Sequence, residues 1–209
     1  MMRISRGYTV RNKYKIVGHL LRNAQGSLLD IGARDRRLAT ELNQLRLKYY
    51  SADLSEGYDY QLDLEQKLDL PDGMFDYIVA LDVLEHIEHI HQAFYELARI
   101  TRRCLIIGLP NLATLSRRWS FLWHGHFGTK KYDLFPEPQG DRHRWLTIYP
   151  QINTFIEINA PRAGLDLEQV VEEMEGGRLT RILGYLATRS GLLPAGWFTG
   201  RCIYVLTRR

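Results

Sequence analysis

Four aspartates, Asp30, Asp53, Asp63 and Asp82, each stand at the end of a short apolar run. A carboxylate accepts two parallel hydrogen bonds, and four of them along one edge repel each other unless a cation or a donor-rich ligand satisfies them. Gly32 follows the first run and has no Cβ to keep a ligand away from the backbone. Glu85-His86 places an imidazole just past the fourth run, and Asp141-Arg142-His143-Arg144-Trp145 puts charge and a base beside an aromatic ring. Histidine titrates near neutral pH, so these two positions can take a proton from a ligand. The chemistry on offer is capture of a polar ligand by carboxylates, with proton transfer nearby.

Such residues need a scaffold that brings strand ends together. Apolar runs at 27–32, 48–53, 58–62, 75–81 and 104–108 read as strands. Helical spacing at 9–23 (Val10, Tyr14, Val17, Leu20, Leu21), from Asp35 to Leu45 and over 85–101 (Ile87, Ile90, Phe94, Leu97) alternates with them. A helix over 150–163, a strand over 165–174, a helix over 178–190 and a closing strand over 201–207 complete the pattern. Alternation of this kind predicts an α/β, doubly wound, mostly parallel sheet, whose ligands bind at the carboxyl ends of the strands. Residues 111–147, rich in aromatics, His, Gly and Pro, interrupt the rhythm and read as an insertion or lid within one domain spanning 1–209.

The chain has 209 residues, 45% of them apolar, enough to build a core and to exclude a disordered or fibrous chain. No apolar run approaches the ~18 residues of a membrane span, and the basic start lacks a secretory apolar segment. Cys104 and Cys202 lie in separate strand-like runs without a CxxC pair, so neither a disulfide framework nor structural zinc is expected. These features point to a cytoplasmic protein. The net charge of +4 conceals a pattern: balances of +8 over 1–48, −10 over 49–100 and +6 over 101–209. An acidic ligand site flanked by a basic acceptor site fits that pattern, as does an ordinary solvated surface.

Leu29-Asp30-Ile31-Gly32, Asp53, Asp63, the run Leu70-Pro71-Asp72-Gly73-Met74-Phe75-Asp76-Tyr77-Ile78-Val79 and the run Leu81-Asp82-Val83-Leu84-Glu85-His86-Ile87 occur in an order and spacing that resembles a known family. Over residues 25–110 the chain is similar to class I S-adenosylmethionine-dependent methyltransferases of small-molecule type, the methyltransferase domain 11 group. The resemblance implies a seven-stranded Rossmann-like sheet with an antiparallel last strand, and a reaction that leaves S-adenosylhomocysteine. It implies that Gly32 and Asp30 meet the methionyl part, that Arg34 pairs with its carboxylate, and that Asp53, beside Leu54, accepts the ribose hydroxyls. Asp63 would meet the adenine amino group, Leu64 would cover the ring, and Leu81 and Asp82 would line the sulfonium end. The turn Gly32-Ala33-Arg34-Asp35-Arg36-Arg37 departs from the family in having one glycine where a second and third are common. A non-catalytic, cofactor- or partner-binding relative is the alternative that this turn keeps open.

Asp53 lies 21 residues after Gly32, as in nicotinamide-dinucleotide folds, but the other glycines of GxGxxG are missing and Asp35 would repel a phosphate. An Asn/Asp-Pro-Pro-aromatic tetrad, expected of nucleic-acid amino-methyltransferases, does not follow the fourth strand, so nucleic acid is not the expected acceptor. The expected acceptor is a small molecule or glycan offering an O or N atom, with an anionic one suited to Arg142 and Arg144 and a ring suited to Trp145 or Tyr132. His86 and His143, with His126 behind them, are the candidate bases; His86 alternatively only packs or bonds to backbone. No metal is expected, because His86, His89 and His91 share one segment without an i, i+4 pair or an evident carboxylate partner. Arginines flank an apolar face at 178–190, with Leu192, Leu193, Trp197 and Phe198 beyond, which suits core packing, dimerisation or peripheral contact with a membrane. Monomer and homodimer are equally compatible with the sequence.

Overall fold

The computed structural model describes residues 5–9, 12–132, 134, 136, 142–194 and 196–209. Val10 and Asp141, used above, lie outside the described residues, as does the side chain of Arg178. The first expected helix is shorter at both ends: it spans Lys13–Leu20 (α1), and the Asn12 side chain accepts the Lys15 N–H at 3.0 Å. Thr9 instead ends a strand, Ser5–Thr9 (β1). Its sequence, Ser-Arg-Gly-Tyr-Thr, has no apolar alternation, so backbone pairing alone defines it.

The remaining elements follow the expected rhythm: Gln25–Ile31 (β2), Arg37–Leu42 (α2), Arg46–Asp53 (β3), the two-residue Tyr60–Gln61 (β4) and Phe75–Leu81 (β5). Then come Ile90–Ile100 (α3), Thr101–Pro110 (β6), Leu115–His124 (α4), Tyr149–Arg162 (α5), Leu165–Met174 (β7), Arg178–Arg189 (α6) and Thr199–Arg208 (β8). The helix expected over 85–101 divides. Leu84–His86 forms a 3-10 turn and α3 begins only at Ile90.

The sheet order is β1-β7-β8-β6-β5-β2-β3-β4. Strands β2 to β8 form the expected doubly wound sheet, and β8 runs antiparallel between β6 and β7. Strand β1 adds an eighth at the edge, parallel to β7. Successive residues point to opposite faces and fill two cores. Leu28, Val79, Ile106 and Val205 pack with Ile16, Val17, Leu38 and Leu42 of α1 and α2. Leu29, Ile78, Leu105 and Leu206 pack with Phe94 and Leu97 of α3 and Ile152 and Ile156 of α5. Cys104 and Cys202 are buried and free. Strand order reverses between β2 and β5, so the crevice of an open α/β sheet falls between their carboxyl ends.

Candidate functional site

Gly32 leaves β2 at φ +69°, and a Cβ there would stand 2.6 Å from Cγ2 of Val83, in the turn after β5. The two turns that flank the crevice therefore touch, and only glycine fits both the dihedral and the space. Beyond Gly32, Arg34 (φ +33°) and Arg36 (φ +53°) adopt left-handed backbone that costs a side-chain-bearing residue about 1–2 kcal/mol each. Both are held from the loop after β3. The Tyr58 hydroxyl donates to the Arg34 carbonyl at 2.9 Å, and the Arg36 guanidinium donates to the Gly57 carbonyl at 2.6 Å and lies over the Tyr58 ring. Arg36 thus turns towards the loop that follows Asp53.

Asp30 is buried at the end of β2 and accepts the Tyr49 hydroxyl at 2.7 Å. Burial pushes its carboxyl up to about 7, against the opposing pull of that hydrogen bond and of Lys13. Asp53 closes β3 half-buried, and accepts the N–H and hydroxyl of Ser55 at 3.4 and 3.3 Å. Leu54 beside it is exposed. Asp63 is exposed, accepts the Glu65 N–H at 2.9 Å, and lines a cavity of about 410 Å³ with Leu62, Gln66 and Leu68, while Leu64 is buried. Leu81 is buried at the end of β5.

Asp82 has a partner set that the sequence did not disclose. It sits at φ +59° and receives Arg201 Nε and Nη2 at 2.7 Å each, and Lys13 Nζ at 2.8 Å. Arg201 also pairs with Glu173. Burial raises the proton affinity of Asp82, but Arg201 and Lys13 outweigh it and hold the carboxyl below its usual range. The network ties the turn after β5 to β8, β7 and α1. A carboxylate bound on both oxygens by its own protein acts first as an anchor for that turn.

The 3-10 turn after β5 meets residues 142–145, which precede α5. The Glu85 carbonyl accepts the Arg144 N–H at 2.8 Å and the Trp145 N–H at 3.3 Å, and Trp145 Nε1 donates to the Ile87 carbonyl at 2.7 Å. His86 Nδ1 lies 2.8 Å from the Arg142 carbonyl, and the His86 and His143 rings meet edge to face at 4.6 Å. His143 Nδ1 is 3.1 Å from the Tyr132 hydroxyl, which reaches the Trp145 carbonyl at 2.5 Å. Residues 142–145 therefore sit at the carboxyl edge of the sheet, beside the crevice. Arg144 extends outward, 3.8 Å from Glu88 with both side chains largely exposed. Asn111, fully buried, pins the chain just after β6 by donating to the Gly196 and Thr199 carbonyls and accepting the N–H groups of Ala113 and Tyr149.

Other candidates stand apart. His126 caps its own loop by accepting the Gly128 N–H. His89 pairs with Glu65 and His91 packs on Phe155. What sequence reasoning missed is Glu85. It is fully buried, and among the described residues neither carboxylate oxygen has a hydrogen-bond partner. Burial, and secondarily the charge of Asp82, push its carboxyl up to about 8. Its oxygen lies with one nitrogen each of His86 and His143 in a group whose members are all within 4.8 Å of one another. The sequence holds a signal for this, an acid next to a histidine just after a strand, but periodicity assigns both to a solvated helix start.

The donor set at the crevice suits S-adenosylmethionine: a glycine turn that no Cβ could occupy, a strand-end carboxylate in Asp53 whose hydrogen-bond partners among the described residues belong to neighbouring Ser55, and a buried Asp30 able to meet an ammonium. A methyltransferase-domain family model matches residues 8–139. No curated protein matches the chain. Among solved structures, a SAM-dependent methyltransferase from Archaeoglobus fulgidus is similar at 14% identity and TM-score 0.60, covering 95% of this chain and 96% of that one. Magnesium protoporphyrin IX methyltransferase from Synechocystis PCC 6803, with bound SAH, is similar at 18% identity and TM-score 0.58, over 94% and 82%. The [4+2]-cyclase SpnF, at 16% identity and TM-score 0.58 over 99% and 87%, shares the fold. With the family model spanning more than half of its length, the chain belongs to the methyltransferase-domain family and is a class I S-adenosylmethionine-dependent methyltransferase.

Proposed function

We propose that the chain methylates an O or N atom of a small-molecule or glycan-type acceptor held between the turn after β5 and the insertion. The observation that supports this most is the docking of residues 142–145 on the Glu85 and Ile87 carbonyls, which gathers His86, His143, Tyr132 and Trp145 next to the crevice. S-adenosylmethionine supplies an electrophilic sulfonium methyl when bound. The protein's task is then to align the acceptor and exclude water. Asp53 accepts the ribose hydroxyls, Asp30 faces the ammonium, Arg34 meets the carboxylate, and Asp63 with Leu64 takes the adenine. Leu54 and Leu81 contribute apolar surface and Asp82 fixes the turn. Arg142 and Arg144 favour an anionic acceptor, and Trp145 or Tyr132 offers a ring to stack on. A hydroxyl acceptor would lose its proton to His86 or His143.

Residues 111–147 serve in this reading as the acceptor-binding part of a single domain. Incubation with S-adenosylmethionine and a panel of anionic sugars, phenols and amines, read by mass spectrometry, tests it. A methylated sugar or phenol supports the reading, and product from none of the panel despite cofactor binding counts against it.

No helix among the described residues is long and apolar enough to cross a membrane. Helix α6 packs through Gly184 on Phe198 yet exposes Leu179, Leu183 and Leu186 beside Arg181 and Arg189. That face supports peripheral contact with anionic lipid. Co-sedimentation with anionic vesicles, reduced by Leu183→Glu, is the expected result; no sedimentation removes the membrane from the account.

A further inference from the structure

We propose that Glu85, His86 and His143 bind a divalent first-row metal ion at the junction of the β5 turn and the insertion. The acceptor role given to the ion below rests on the methyltransferase reading; the binding site itself rests on three side chains. Glu85 carries the argument. A fully buried carboxyl with neither oxygen hydrogen-bonded costs about 1–3 kcal/mol or more relative to one that is satisfied, so it calls for a partner. The groups nearest to it in the cluster are imidazoles, whose nitrogens are metal ligands as well as bases.

The histidine tautomers fit that use. A carbonyl oxygen only accepts, so His86 Nδ1, 2.8 Å from the Arg142 carbonyl, carries the proton, and in the neutral ring the lone pair is on Nε2. The Tyr132 hydroxyl donates to the Trp145 carbonyl, so its oxygen accepts from His143 Nδ1–H, and the lone pair of that ring also falls on Nε2. Hydrogen bonds of this kind from the second ring nitrogen to a carbonyl or hydroxyl are how proteins orient ligating histidines. Metal–ligand distances of about 2.0–2.2 Å place ligand atoms roughly 3–4.4 Å apart, and one ligand atom of each side chain lies within 4.8 Å of the others.

Two imidazoles and one carboxylate suit zinc, manganese, iron or cobalt rather than calcium, which prefers oxygen. Three protein ligands leave positions for acceptor oxygens, and a metal-bound hydroxyl gives up its proton more readily. The ion would then select acceptors with a hydroxyl or adjacent hydroxyls. It would also fasten residues 142–145 to the turn after β5, because His143 comes from the former and Glu85 and His86 from the latter.

The test uses the full chain stripped with a chelator and titrated calorimetrically with Zn²⁺ and Mn²⁺ alone, with Co²⁺ absorption as a second readout. One ion per chain is expected, weakened roughly tenfold or more by Glu85→Gln, His86→Ala or His143→Ala. Circular dichroism reports folding; if Glu85→Gln does not fold, His143→Ala, outside the two cores, carries the test. Absence of binding by the folded wild-type chain, or binding unchanged in these variants, overturns the site. S-adenosylhomocysteine is titrated in parallel. Metal binding without it would leave the site standing and fell the transferase reading, and the converse would do the reverse.

Discussion

The main-chain carbonyl of Glu85 accepts the Arg144 N–H at 2.8 Å, joining the turn after the fifth strand to a segment almost sixty residues later. This bond is independent of side-chain identity, so substitutions at Arg142 or Arg144 leave the docking in place while changing what the patch presents. Arg142→Ala and Arg144→Ala should therefore raise acceptor KM with little change in S-adenosylmethionine affinity or melting temperature. The effect should shrink with added salt, since exposed charges are screened within ~8–10 Å. Initial rates at low and high ionic strength check this, and a salt-independent loss of turnover would count against it.

His86 contacts both the Arg142 carbonyl and the His143 ring. As a base, or as a ligand for an ion that does the base's work, its loss should lower turnover by ~10²-fold or more while cofactor affinity stays nearly intact. Steady-state kinetics of His86→Ala against a calorimetric Kd separate this from a packing role, which would leave turnover unchanged in folded protein.

Asp30 gives the site a pH dependence with a defined sign. Its folded-state carboxyl is raised from 3.8 to about 7 by burial. The native state thus binds more protons than the unfolded one, and this contribution to stability is full below about 3.8 and is lost as pH rises to about 7. Asp30→Asn should flatten the stability curve in that window, as chemical denaturation at stepped pH would show. If the methionyl ammonium meets Asp30, cofactor binding should also tighten with rising pH and release a proton near pH 6. Calorimetry in buffers of different ionisation enthalpy reads that proton; a value of zero would move the ammonium elsewhere.

Arg201 holds Asp82 by two bonds and Glu173 by a third, and is mostly shielded from solvent. Removing it leaves two shielded carboxylates short of their cation, at a cost of about 3 kcal/mol. Arg201→Ala should lower the urea midpoint accordingly and loosen the turn that carries His86. A midpoint unchanged from wild type would mean that Lys13 alone suffices.

What could be read from the sequence followed from periodicity. The β5 and β7 strands coincide with their expected bounds because turn residues border them, Pro71-Asp72-Gly73 before β5, Gly164 before β7 and Gly176-Gly177 after it. Strand β1 escaped because five residues without apolar alternation leave no pattern. Around His86 the reason is different. Apolar spacing continues across Ile87 and Ile90, so one helix was expected, whereas the chain makes a 3-10 turn first and buries Glu85. His143 could not be linked to His86 in advance, since their contact depends on backbone bonds from a segment with no periodicity. Likewise Asp82 looked like a ligand residue, and only the fold reveals Arg201 and Lys13 on its oxygens.

Asp53 offers the most direct measurement of the account as a whole. Its carboxylate stands at the end of β3 beside the crevice, with only the N–H and hydroxyl of Ser55 as hydrogen-bond donors among the described residues. Losing a charged hydrogen-bonding partner costs ~1.5–3 kcal/mol, or roughly 10- to 150-fold in affinity. Calorimetric titration of S-adenosylmethionine into wild-type and Asp53→Ala protein, with folding checked by circular dichroism, should give 1:1 binding that the substitution weakens by that factor. Equal affinity in the two proteins would remove Asp53 from the site, and no binding to the wild-type chain would contradict the account at its centre.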